Sequence, residues 1–226
     1  MKNQLFKYGL IGSSGKLGSE VNSVFNDNGG RQVYIYNRGG EFEVEKPELI
    51  IDCSAPEVLD KTVSLVDRFN VPLVIATTNL TDSQIGRLKT LSISVPVVQS
   101  YNFSVGVQVL LNLVRKADEI LTNWDVEIEE VHHSQKKDRP SGTAKMIRSI
   151  FKEKNVNVSA LRLGTVIGDH SVHFGGPGEI LSIKHSAVSR RTFAQGILKA
   201  AHFVLQKKNG FYSFTDVIYS DTGFQI

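Results

Sequence analysis

Short apolar runs alternate along the chain with segments whose apolar residues recur every three or four positions. This rhythm reads as strands alternating with helices. A strand is expected over 7–11. The glycine turn Gly12-Ser13-Ser14-Gly15-Lys16-Leu17-Gly18 then leads into a helix over 19–26, with Leu17, Val21, Val24 and Phe25 on one face. Further strands are expected over 32–36, 49–54, 72–76 and 95–99. Helices are expected over 56–69, carrying Val58, Leu59, Val63 and Val66, and over 82–92, carrying Ile85, Leu88 and Leu91. Leu49-Ile50-Ile51-Asp52-Cys53-Ser54 is almost continuously apolar, as a strand is when both faces of a parallel sheet are covered. The first hundred residues therefore predict an α/β, Rossmann-type doubly wound parallel sheet.

The pattern changes from Val105 onward. A long helix is expected over 105–121. A strand over 125–131 follows, in which Val126 and Ile128 alternate with Glu127 and Glu129, leaving one face wet. A helix over 142–154 turns Met146, Ile147, Ile150 and Phe151 inward. Short strands over 161–166, 171–174 and 180–186 are separated by turns such as Gly175-Gly176-Pro177-Gly178. This half reads as α+β with a mostly antiparallel sheet. The helical pattern over 192–206 suits closure of either half.

Composition narrows the function classes. The 226 residues suit one large or two small domains. Lys and Arg number 26 against 23 acidic residues, and a net charge of +3 gives no reason to expect a nucleic-acid partner. The apolar runs are strand-sized, so no membrane partner is expected, and the N-terminus lacks the apolar core of a secretion signal. The single cysteine, Cys53, excludes an intramolecular disulfide and reads as a structural thiol. A cytoplasmic protein is expected.

In a doubly wound sheet, ligands sit at the carboxyl ends of the strands. Those ends place Gly12, Ser13, Ser14, Gly15, Lys16, Leu17, Arg38, Ala76, Thr77, Thr78, Ser100, Tyr101, Asn102 and Phe103 around a dinucleotide. The G-x-x-G-x-x-G spacing departs from G-x-G-x-x-G, but it still permits a tight turn and a helix start facing a pyrophosphate. Asn37 and Arg38 stand where an Asp or Glu would bind the ribose hydroxyls. Arg38 suits a 2′-phosphate, which favours NADPH slightly over NADH. The alternative is a solvated loop arginine.

A second concentration of chemistry is Val131-His132-His133-Ser134-Gln135-Lys136-Lys137-Asp138-Arg139-Pro140-Ser141-Gly142-Thr143-Ala144. Histidine exchanges protons near neutral pH. Pro140 disfavours helix at Arg139 and Ser141 suits an N-cap, so the helix is expected to begin at Gly142. Ser141, Gly142 and Thr143, beside Lys136, make a cradle for a carboxylate. His132 and His133, as strand neighbours, point to opposite faces. No metal is expected, because no Cys or carboxylate stands at ligand spacing, although His170 and His173 keep that alternative open.

These residues also resemble a known family. Val131-His132-His133, Lys136, Asp138 and Pro140-Ser141-Gly142-Thr143-Ala144 resemble the signature of the 4-hydroxy-tetrahydrodipicolinate (dihydrodipicolinate) reductases, in their compact bacterial form. The similarity extends through Gly12, Gly15-Lys16-Leu17-Gly18, Asn102-Phe103-Ser104-Val105-Gly106, Arg162, Gly164, Gly168-Asp169-His170, Gly178-Glu179, Ser189-Arg190, Phe193-Ala194 and Gly196. The resemblance implies NADPH- or NADH-dependent reduction of a cyclic imine dicarboxylate in lysine and diaminopimelate synthesis. It implies His132 as proton donor, Lys136 as partner donor, and His133, Ser141, Gly142 and Thr143 as holders of the substrate carboxylates. It further implies a homotetramer built through the second domain's sheet, with the last long helix packing back on the first domain. The domains expected are 1–103 with 191–226 for the dinucleotide, and 104–190 for substrate and assembly. Three positions depart from the family pattern: Ala76-Thr77-Thr78-Asn79, Cys53-Ser54 and Asn37. Rival readings are a reductase of another cyclic imino or keto dicarboxylate, and a non-catalytic nucleotide-sensing Rossmann protein.

Overall fold

Each apolar run of the first hundred residues becomes a strand of one sheet. The computed structural model describes residues 6–152 and 154–220. In chain order the elements are β1 (Phe6–Ile11), α1 (Lys16–Asp27), β2 (Gly30–Asn37), β3 (Gly40–Glu43), β4 (Leu49–Asp52), α2 (Leu59–Phe69), β5 (Leu73–Ile75), α3 (Asp82–Leu91) and β6 (Pro96–Gln99). Then come α4 (Val105–Ile120), β7 (Asp125–His132), α5 (Gly142–Arg148), β8 (Asn157–Arg162), β9 (Gly168–Gly176) and β10 (Glu179–Ala187). The chain ends in α6 (Arg191–Val204), β11 (Gly210–Ser213) and α7 (Phe214–Tyr219). Contacts divide it into two units, Met1–Phe103 with Arg190–Ile226, and Ser104–Ser189.

The first unit holds a seven-stranded sheet in the order β11-β6-β5-β4-β1-β2-β3, parallel except for the edge strand β3. Strand parity explains the continuous apolar runs. Leu49 and Ile51 join Val21, Val24 and Phe25 of α1 and Ala194, Ile197 and Ala201 of α6 on one face. Ile50 joins Leu65, Val66 and Phe69 of α2 and Leu88 of α3 on the other. Both faces are covered, as a parallel sheet requires. β1 lies between β2 and β4, so the strand order reverses there and opens the crevice typical of doubly wound folds.

The second unit is a four-stranded sheet in the order β10-β9-β7-β8. β7 runs parallel to β8 and antiparallel to β9, and β9 and β10 form a hairpin turned by Pro177-Gly178. Gly178 adopts φ +85°, a conformation glycine enters without a Cβ penalty. One face packs on α4 and α5 through Val107, Leu111, Ile128, Ile147, Phe151, Val172 and Phe174.

Several boundaries differ from the sequence expectation. The helix expected over 142–154 ends at Arg148. Ile150 and Phe151 then hydrogen-bond to Ile147 and Arg148, a three-residue spacing that tightens the chain while both side chains stay in the core. The strand expected over 161–166 is instead Asn157–Arg162. Leu161 and Leu163 are exposed, and Gly164 at φ +50° turns the chain. β3, β11 and α7 were not expected, since they lie at edges and lack a periodic apolar run.

Helix α6 presses so closely on the end of the sheet that a Cβ at Gly196 would lie 1.7 Å from the Phe103 carbonyl oxygen. Backbone cannot yield as a flexible side chain does. Gly196→Ala is expected to lower unfolding free energy by about 3 kcal/mol in urea titrations, and a change under about 0.5 kcal/mol would show that α6 tolerates displacement.

Candidate active site

Strand parity builds the site on β7. Val126, Ile128, Glu130 and His132 share the face that meets the helices, so one side of a single strand passes from apolar to ionisable. The sheet register then brings partners alongside. Glu130 stands opposite His170 of β9, which stands opposite His185 of β10, while His132 pairs with Arg162 of β8.

Glu130 is fully buried, and both of its oxygens are engaged. Oε2 contacts Nδ1 of His132. Oε1 accepts from Arg162 Nη2 at 2.9 Å and from the Ser141 amide at 3.0 Å. Burial alone would raise this carboxyl, but the hydrogen bonds from His132 and Arg162 outweigh it and hold it down at about 2. His132 is itself buried, with its ring centroid 5.1 Å from that of His170.

Ser141 caps α5, its Oγ accepting from the Ala144 amide at 3.1 Å, so the helix starts at Gly142 as the sequence suggested. The same Oγ lies 3.1 Å from His170 Nε2. The hydroxyl thus links the Ala144 amide to the His170 ring. Burial pushes His170 down to about 3, and the nearby His132 adds to the shift, so His170 stays neutral. The hydroxyl and amide of Ser141 thus bind the site together. Gly142 and Thr143 are buried at the same helix start. His133, just past the strand, is half-buried.

Arg162 also laces down the loop after β7. Its Nε donates to the Lys136 carbonyl at 3.2 Å and Nη2 to the Asp138 carbonyl. Lys136 Nζ lies 2.7 Å from Asp138 Oδ1. Glu130, His132 and His170 come within 4.8 Å of one another, a spacing compatible with a divalent cation. Glu130 already faces a guanidinium, an imidazole and an amide, so the trio reads as an ion-paired hub.

In the first unit the expected cofactor residues lie at the carboxyl ends of β1, β2, β5 and β6. Gly12, at φ +83°, donates to the Tyr36 carbonyl, and a Cβ on Gly18 would lie 2.2 Å from the Gly12 oxygen. These two contacts explain why the turn needs glycine at both positions. Gly12, Ser14, Gly15 and Arg38 line one cavity of about 400 Å³ with Tyr36, Asn37, Cys53, Ser54, Ala55 and Val58. Ser13 accepts from Asn37 Nδ2 at 2.9 Å beside it, Lys16 is exposed at the start of α1, and Leu17 packs on the core. Ala76, Thr77, Thr78 and 100–103 do not line this cavity. Thr77 is buried and donates to Asp52 at 3.0 Å, Asn79 takes the left-handed conformation, and Ser100 accepts from the Asn102 amide at 3.2 Å. Tyr101 is half-buried, and the Phe103 ring is buried against Phe214. Burial first, and then Asp52, pushes the Cys53 thiol upward, which keeps it protonated.

Sequence reasoning did not single out Glu130 or Arg162 as site residues, and considered His170 only as a possible metal ligand beside His173. A signal for Glu130 was present: the alternation that buries Val126 and Ile128 also turns Glu130 and His132 inward. Arg162 and His170 join them only through strand register.

A parallel sheet with a glycine turn at its reversal point, together with a second unit carrying a buried acid–base cluster, defines the two-unit nucleotide-dependent oxidoreductases. Family models described as dihydrodipicolinate reductase match residues 27–103 (N-terminus) and 106–218 (C-terminus). The curated 4-hydroxy-tetrahydrodipicolinate reductase of Thermosipho africanus is 46% identical over 94% of this chain and 97% of its own. That of Clostridium novyi is 33% identical over 93% and 97%. The chain belongs to the dihydrodipicolinate reductase family. In fold it is similar to a dipicolinate-bound dihydrodipicolinate reductase from Paenisporosarcina, with a TM-score of 0.72, 22% identity, and 93% of this chain and 98% of that one covered. It is also similar to aspartate dehydrogenase from Thermotoga maritima, with a TM-score of 0.55, 18% identity, and 92% and 100% covered.

The depressed His170 fixes a pH dependence of stability. The unfolded chain protonates this imidazole near 6.5 and the folded chain near 3, so its contribution is complete above pH 6.5 and is lost as pH falls toward 3. Between pH 6 and 4, unfolding free energy of the wild type is expected to fall more steeply than that of His170→Gln, by about 1.4 kcal/mol per pH unit. Parallel curves in urea titrations would contradict the assignment.

Proposed function

We propose that the chain reduces dihydrodipicolinate, the dehydrated form of 4-hydroxy-tetrahydrodipicolinate, to tetrahydrodipicolinate in lysine and diaminopimelate synthesis. The observation that carries this reading is the ionisable row on β7, where His132 rests on Glu130 beside Lys136 and the start of α5. A cyclic dicarboxylate needs donors for its carboxylates and a proton for the carbon framework that hydride leaves electron-rich.

NADPH or NADH supplies the hydride. The first unit fits a dinucleotide: Gly12 and Gly18 let the turn close over the start of α1, and Tyr36, Arg38 and Ser54 border the cavity beside it. The residues proposed to meet the dinucleotide are 12–17, Arg38, 76–78 and 100–103. His132 delivers the proton and Lys136 assists as a second donor. His133, Ser141, Gly142 and Thr143 hold the carboxylates, with the Ser141 hydroxyl and amide keeping the start of α5 in place. A nucleotide sensor would have no use for the buried proton donor, and the curated relatives above favour this substrate over another imino or keto dicarboxylate.

NADPH is proposed as the somewhat better coenzyme. The Asn37 amide is occupied by Ser13 and by the Gly39 amide, so no carboxylate opposes a 2′-phosphate, and Arg38 is exposed at the cavity. A cytoplasmic homotetramer is proposed as the working form. Val109 and Leu113 of α4 and Ile180 of β10 are exposed apolar side chains of the kind that assembly buries. Among the described residues no helix is long and apolar enough to cross a membrane.

The direct test mixes the protein with reduced coenzyme and the freshly formed condensation product of pyruvate and aspartate semialdehyde, following coenzyme absorbance. Turnover is expected, and folded protein inactive with both coenzymes would overturn the reading. His132→Gln should lower kcat by about 100-fold with coenzyme affinity nearly unchanged; a parallel loss of coenzyme binding would make His132 structural. Arg38→Ala should raise KM for NADPH about tenfold and leave NADH little changed, whereas an unaltered ratio would remove Arg38 from coenzyme choice.

A further inference from the structure

We propose that Glu130 is the positioning residue of proton transfer: its carboxylate holds His132 by Nδ1, leaves Nε2 as the nitrogen that gives up the proton, and ties the start of α5 to the same anchor. The inference rests on the function proposed above and adds a residue that the motif comparison did not single out.

The geometry carries it. Glu130 Oε2 meets His132 Nδ1, while Oε1 takes the Ser141 amide and Arg162. A carboxylate accepts from an Nδ1–H whether or not Nε2 is protonated. The ring therefore keeps one orientation through the step: the proton leaves Nε2, the electron pair stays on the ring, and water restores the proton. On the Nε2 side stands Gly168, where a Cβ would lie 3.0 Å from that nitrogen. The Nδ1 edge is thus anchored, and the residue facing Nε2 is the smallest available.

The surrounding charges leave this contact in control. Arg162 on β8 neutralises Glu130 and keeps it ionised. Lys136 on the loop is matched by Asp138 at 2.7 Å. His170 on β9 and His185 on β10 are both pushed down by burial and stay neutral. Ser141 on α5 contributes only hydrogen bonds. The anionic partner of a protonated His132 is therefore Glu130. A carboxylate beside an imidazole favours its protonated form, and Glu130→Gln removes that charge while keeping the shape.

The test combines nitrogen-15 NMR of histidine-labelled, substrate-free protein with the pH profile of kcat. In the wild type, neutral His132 should be the Nδ1–H tautomer. Glu130→Gln keeps shape and an acceptor but no charge. The alkaline limb of its kcat profile should move about one pH unit lower, with kcat down at least tenfold at pH 8 and KM for coenzyme unchanged. Glu130→Asp should recover part of the loss. An Nε2–H tautomer, or an unshifted limb in folded Glu130→Gln, would overturn the proposal. If Glu130→Gln does not fold, the wild-type tautomer alone decides. The Nδ1–H tautomer in a protein that turns over no substrate would leave the positioning intact and sink the function instead.

Discussion

The second unit depends on one buried charge. A carboxylate with no exposure persists only where hydrogen bonds and an opposite charge replace water, and Glu130 has all of these: an imidazole, a guanidinium and a backbone amide. Each partner belongs to a different part of the unit. His132 lies on the same strand, Arg162 on the neighbouring strand, and Ser141 at the start of α5. The charge that would be costly if isolated is thereby what fastens strand, loop and helix into one geometry. Arg162 extends the effect by holding the carbonyls of Lys136 and Asp138, so the loop cation is placed from the same anchor.

The two units differ in where they place their polar groups. In the first, a parallel sheet sealed by apolar helices leaves its polar turns at the strand ends, and glycine lets the first turn close over the start of α1. In the second, the core face of β7 gives way to two ionisable residues, Glu130 and His132, at its end. Apolar neighbours upstream, Ile128 with Val172, fix the register that brings Glu130 opposite His170. Core packing thus sets the precision of the acid–base site.

Much of this was legible in the sequence. Leu49–Asp52 announced a strand covered on both faces, and Ser141 announced a helix start. What escaped depends on contacts between segments far apart in the chain. Arg162 and His170 lie 32 and 40 positions from Glu130, and only strand pairing brings them to it. The strand expected over 161–166 lies at Asn157–Arg162 instead, because local apolarity does not report which face is covered. β3 is fully exposed and held by edge contacts such as the Tyr34 hydroxyl to Glu41 at 2.6 Å, which no periodic pattern marks.

The central claim is that Glu130 stays ionised in the core and organises what surrounds it. Carbon-13 NMR of the glutamate carboxyls, with Glu130 assigned by its absence in Glu130→Gln, measures this directly. A Glu130 signal unchanged from neutral pH down through 4 and titrating near 2 is the predicted result. A signal that titrates at or above the ordinary glutamate value of 4.5 would contradict the account.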